Sequence, residues 1–156
     1  MASVTAAPGR IVSDATGDDG RRPAVILRPS ELPVRQRGGG VRTIPLVSQL
    51  IGAQDFLNGV TMFGPGGAIA EHIHNCDESV VVVKGSAIAH IAGVAYHVTV
   101  GDTSFIPAGV RHYFANASAT EDMHIVWTYS SVDATRTIVA TGVTTRIDEE
   151  HGTNPV

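Results

Sequence analysis

Residues 66–85 read GGAIAEHIHNCDESVVVVKG, and this stretch decides the fold. His72 and His74 stand two apart in a strand-like run. Alternate residues of a strand point to one face, so both imidazoles project the same way. Asn75-Cys76-Asp77 reads as a turn, because Asn and Asp side chains hydrogen-bond their own backbone there. Glu78 opens the next strand, which can bring its carboxylate beside the two imidazoles. Val80-Val81-Val82-Val83 continues that strand with apolar residues on both faces, until Gly85 ends it. One valine face fills an interior. The other needs a cover, and Ile88 and Ala89 repeat the hint, which predicts a second layer or a homodimer through an outer sheet face.

A second stretch, residues 101–116, reads GDTSFIPAGVRHYFAN. His112 follows the turn Pro107-Ala108-Gly109, which can return a neighbouring strand to the same interior. Three neutral imidazoles and one carboxylate (His72, His74, His112 and Glu78) suit a divalent transition ion: Fe, Mn, Ni, Co, Cu or Zn. Outward from these stretches the pattern is strand after strand. Runs over 56–63, 69–74, 78–84, 87–91, 96–100, 103–106, 112–115, 124–129 and 137–140 are bounded by Gly, Pro, Asn and Asp. Turn signals at such short spacing predict an all-β sandwich or barrel. No stretch keeps a 3.6-residue period over many turns, so few helices are expected.

The whole chain is consistent with one domain. It has 156 residues, 43% of them hydrophobic, enough to fill a core. Its net charge of -4 argues against a nucleic-acid partner. No apolar run approaches the ~20 residues of a membrane span, and the first residues lack the apolar segment of a secretory signal. Cys76 is the only cysteine, so no disulfide forms within the chain. The expected location is the cytoplasm. Residues 1–22 are expected to be a flexible tail, and 23–41 an arm (strand 25–27) followed by a flexible basic connector through Arg35, Arg37 and three glycines. Residues 42–146 form the β domain, and 147–156, with His151, a polar tail. Seven of the 11 basic residues precede residue 43, a solvated arm or one that pairs with a neighbouring subunit.

The two histidine-bearing stretches resemble the paired motifs of the cupin superfamily. The first motif is met by Gly66, His72, His74, Glu78 and Gly85, the second by Gly101, Pro107, Gly109, His112 and Asn116. All ten fixed positions match, and the short spacer between the motifs is similar to that of small bacterial cupins. The resemblance implies a double-stranded β-helix, or jelly roll, of two packed sheets. It implies that His72, His74, Glu78 and His112 hold the metal inside the barrel, and it agrees with a homodimer. Asn116 shares its strand face with His112 and Phe114, and is expected to orient a backbone segment or the pocket wall rather than to ligate.

A divalent ion with these ligands carries net charge of about +1 in a poorly solvated interior, and few other charged side chains are expected to point inward. The site should therefore favour an anionic small molecule: a carboxylate, an enolate or a deprotonated phenol. Four protein ligands leave about two positions open on an octahedral ion. The leading expectation is an oxidoreductase, an Fe(II) dioxygenase that binds substrate and dioxygen side by side. The alternative is redox-neutral Lewis-acid chemistry with Zn, Mn or Ni: isomerisation, lyase chemistry, decarboxylation or, in resemblance to small cupins of aromatic polyketide pathways, cyclisation. A third reading is a non-catalytic binding module. His124 is the candidate acid-base or supporting residue. Met62, Phe114 and Trp127 are candidate pocket walls, with Tyr113 and Tyr129 either wall or packing. Cys76, His90 and His97 are taken as bystanders.

Overall fold

The structure is a computed structural model that describes residues 10–12, 22 and 24–151. Strands dominate because β-branched and aromatic residues recur at every second position between turn residues. One antiparallel sheet runs in the order Thr103–Ile106 (β10), Glu78–Lys84 (β7), Met123–Tyr129 (β12), Leu57–Phe63 (β5), Val41–Pro45 (β4) and Arg35–Gly38 (β3). The other runs Thr144–Arg146 (β14), Thr135–Ile138 (β13), His72–His74 (β6), His112–Asn116 (β11), Ser86–Ile91 (β8) and Val94–Thr99 (β9). Neighbours in space are mostly distant in sequence, as in β6 beside β11 and β13. This is the double-stranded β-helix expected from the sequence.

The core lies between the two sheets. Burial alternates strictly along β5, β11 and β12, so each contributes one face to the interior. Phe63, Val80, Val82, Ile106, Phe114 and Met123 are buried there, each contributing about 1.5–3 kcal/mol by leaving water. Val81 and Val83 take the outer face of β7, half-buried and exposed respectively. Gly85 closes the β7–β8 turn at φ 69, where an added Cβ would meet the Asp122 carbonyl oxygen at 2.5 Å. Glycine alone fits that conformation and that approach.

Three segment expectations are corrected. Residues 35–42 are no loose connector: β3 pairs with β4 through a hairpin, and Gly39 and Gly40 form its turn at φ 59 and 76. The glycines supply left-handed turn geometry and not slack. The expected 1–22 tail contains a strand, Arg10–Val12 (β1), paired with the anticipated arm strand Val25–Leu27 (β2); the rest of 1–21 lies outside the described residues. The expected polar C-terminal tail begins with Ile147, 1% exposed, at the head of a short helix, Ile147–His151 (α1). One apolar anchor and the ion pairs of Glu150 fix it. Among the described residues no helix is long and apolar enough to cross a membrane.

Candidate metal centre

Four side chains from three strands converge inside the barrel. His72 and His74 occupy the inward positions of β6, and His112, directly opposite His72, occupies that of β11. Glu78, the first residue of β7, arrives from the facing sheet. All four are buried, at 2%, 3%, 1% and 5% exposure for His72, His74, His112 and Glu78. One potential ligand atom from each lies within 4.8 Å of all the others. Glu78 Oε2 is 2.8 Å from His112 Nε2 and 3.4 Å from His74 Nε2.

The three rings are held from behind. His72 Nδ1 donates to the Ala70 carbonyl at 2.7 Å, His74 Nδ1 to Thr135 at 2.8 Å and His112 Nδ1 to Val110 at 2.8 Å. A backbone carbonyl only accepts, so each Nδ1 carries a proton and each Nε2 is the ring nitrogen turned to the interior. This outer anchoring is the arrangement that orients histidine ligands. Burial, with the positive charge of Arg136 next in weight and His112 and His74 behind it, depresses the His72 pKa to about 2, so the ring is neutral. Burial alone would raise the Glu78 carboxyl, but the His112 and His74 rings beside it outweigh burial and hold the pKa at about 2. His74 Nε2 is buried without a hydrogen-bond partner. An orphaned ring nitrogen beside a buried carboxylate and two more imidazoles belongs to a donor set that fits one divalent transition ion.

Around these four, Thr61, Ile69, Phe114, Trp127 and Tyr129 wall a cavity of about 20 Å³. Trp127 Nε1 donates to Thr61 Oγ1 at 2.9 Å. The Tyr129 ring lies 4.6 Å from that of His74, and burial, together with the nearby Glu78 carboxylate, pushes its hydroxyl pKa well up, so it stays protonated. Asn116 does what its position suggested. Its Nδ2 donates to the carbonyls of Phe63, Gly64 and Glu121 at 3.2, 3.0 and 2.7 Å, tying the end of β5 to the turn before β12.

Other expectations are corrected. His124 is on the outward face of β12, half-buried, with Nε2 4.0 Å from Asp122 on the turn. Burial lowers its pKa, and neighbouring Lys84 lowers it further. The inward places go to Ile125, Trp127 and Tyr129, so His124 serves no acid-base step inside. Met62 likewise points out of β5, between inward Thr61 and Phe63. Phe114, Trp127 and Tyr129 are walls, as anticipated. Tyr113 stacks on His90 outside, with ring centroids 4.2 Å apart. Cys76 packs half-buried against the core and is outside the metal-competent group. The residue the sequence reading missed is Arg136. It is 7% exposed, pairs in register with His74 and lines the same cavity. The sequence predicts few inward charges and a strand over 137–140, whereas β13 runs Thr135–Ile138. The available signal was parity: Arg136 is two residues from Ala134, which is fully buried.

The cupin domain family matches residues 59–129, which include His72, His74, Glu78 and His112. The chain is 33% identical over 104 residues to polyketide synthase CurC of Streptomyces cyaneus, covering 66% of this chain and 67% of that protein. It is 36% identical over 90 residues to protein SchB of Streptomyces halstedii, covering 57% of this chain and 64% of that one. Among solved structures, the polyketide cyclase RemF of Streptomyces resistomycificus superposes with a TM-score of 0.63 at 17% identity, covering 78% of this chain and 84% of RemF. With both motifs intact, the barrel closed around them and the cupin domain family matching its central strands, the chain belongs to the cupin superfamily.

Proposed function

We propose that this protein is a metal-dependent enzyme that stabilises the enolate of a small, enolisable polyketide-type substrate and promotes a redox-neutral ring closure. The observation that carries the reading is the convergence of three buried imidazoles and one buried carboxylate in a closed barrel. The likeness to a polyketide synthase of Streptomyces cyaneus supports the substrate class. His72, His74, Glu78 and His112 would hold the ion. Bound there, a divalent ion would supply Lewis acidity and lower the cost of enolisation. Glu78 contributes the one negative charge of the donor set, leaving the centre net positive and receptive to an oxyanion. Phe114, Trp127 and Tyr129 exclude water, which strengthens each electrostatic contact. The protonated Tyr129 hydroxyl gives the wall a donor suited to an oxygen that gains charge.

The test is proton exchange. Under anaerobic conditions, protein purified without added metal and assayed for its elements should accelerate deuterium uptake at the methylene of an aromatic β-diketone, followed by NMR. The acceleration should vanish in Glu78→Ala. Iron content with oxygen consumption would instead support a dioxygenase and overturn this reading. Tight retention of an unchanged diketone would make the protein a binding module.

A further inference from the structure

Arg136 is the only buried lysine or arginine among the described residues, and no part of the enolate chemistry above uses it. Its Nη2 reaches Glu150 Oε2 at 3.1 Å, while its Nε is buried without a hydrogen-bond partner. Glu150 sits on α1 and is shared: Arg37 Nη2 lies 3.3 Å away, and Thr145 Oγ1 donates to its other oxygen at 2.6 Å. Two guanidinium groups thus converge on one carboxylate. A divalent ion held with Glu78 would leave the metal cage with a net positive charge. Arg136 faces the same cavity, since it shares its walls with His72, Glu78 and His112. A buried guanidinium N–H left unpaired is costly until an acceptor completes it, and a carboxylate does so most strongly.

We propose that Arg136 is the anchor for an anionic group of the substrate, and that Glu150 of α1 is the built-in competitor that occupies the guanidinium until the substrate arrives. The inference rests on the metal-centre reading and adds the substrate's second handle. The ligand class is a small molecule with two oxygen functions a few atoms apart, one directed at the ion and one, a carboxylate or enolate, directed at Arg136. Glu150 keeps Arg37 and Thr145 as partners when it yields Arg136, so the exchange does not strand a buried charge. α1 therefore acts as the movable side of the site.

Malonate and its neutral analogue malonamide test this, with affinities read by calorimetry and by the fluorescence of Trp127, the chain's only tryptophan and a wall of the cavity. Both ligands are titrated into zinc-loaded and zinc-free protein. Arg136→Gln should weaken malonate roughly tenfold or more while leaving malonamide within about twofold, as a lost charge-assisted hydrogen bond requires. Zinc per chain should stay unchanged. Glu150→Gln should tighten malonate several-fold by removing the competitor. Unchanged malonate affinity in Arg136→Gln, or equal losses for both ligands, would overturn the proposal. So would weaker malonate binding in Glu150→Gln, which decides the matter alone should Arg136→Gln fail to fold. Zinc stoichiometry separates the failures. A wild type without zinc defeats the metal reading, and zinc bound without charge discrimination defeats this one.

Discussion

Gly59→Ala is the sharpest probe of how the inner wall is built. Gly59 faces Trp127 across the β5–β12 ladder. A Cβ at residue 59 would stand 2.4 Å from Trp127 Cζ2 and 2.8 Å from its Cη2, and 2.7 Å from the Ile44 carbonyl oxygen. Backbone blocks one side, so the indole must give way on the other. Overpacking of this kind costs about 1–3 kcal/mol. Moving the ring also strains or breaks the Trp127–Thr61 hydrogen bond, worth about 0.5–1.5 kcal/mol net. The expected loss is therefore about 2–4 kcal/mol. Urea unfolding monitored by tryptophan emission measures it directly, because Trp127 is both the displaced group and the only indole. The folded variant should emit to the red of wild type as the ring leaves its buried seat. Wild-type stability with an unshifted spectrum would refute the account of that wall.

Further outcomes follow from the same packing and donor set. His112→Ala should weaken metal affinity by about tenfold or more, since a ligand contributes at least as much as the outer-sphere groups of such centres; a competition titration against a chelator checks it, and unchanged affinity would sink the ligand set. Chelator treatment should lower the unfolding midpoint, and titrated metal should restore it in proportion to the logarithm of its free concentration. Asn116→Ala should cost about 1–3 kcal/mol, because it strips a donor from three carbonyls at once; equilibrium denaturation reads the loss. His124→Ala should leave metal content and diketone exchange at wild-type values, because the imidazole lies on the opposite face of β12 from the cavity; a lost activity would return it to the site.

Much of the barrel and its four ligands was legible in the chain because period-two patterning and turn residues are local signals. His72, His74 and Glu78 lie within seven consecutive residues, so their faces follow from strand geometry alone. His112 needed the second motif to link it to them. Other features depend on contacts remote in sequence. Whether His124 faces in or out depends on the register of β12 against β5 and β7, where a bulge falls between His124 and Ile125; a one-residue change of register exchanges the two faces. Arg136 and Glu150 meet across segments that read as late strand and polar tail. A salt bridge leaves no trace in hydrophobic patterning.

The backbone carbonyls of Ala70, Val110 and Thr135 hold the three imidazoles from behind. Each carbonyl belongs to the barrel's own framework, so the direction of each ring is a property of the fold rather than of a bound ion. Such a rigid, mixed nitrogen-oxygen seat ranks ions mainly by the common affinity order. For an ion held there, the supply of metal around the protein would weigh heavily in which element takes the seat.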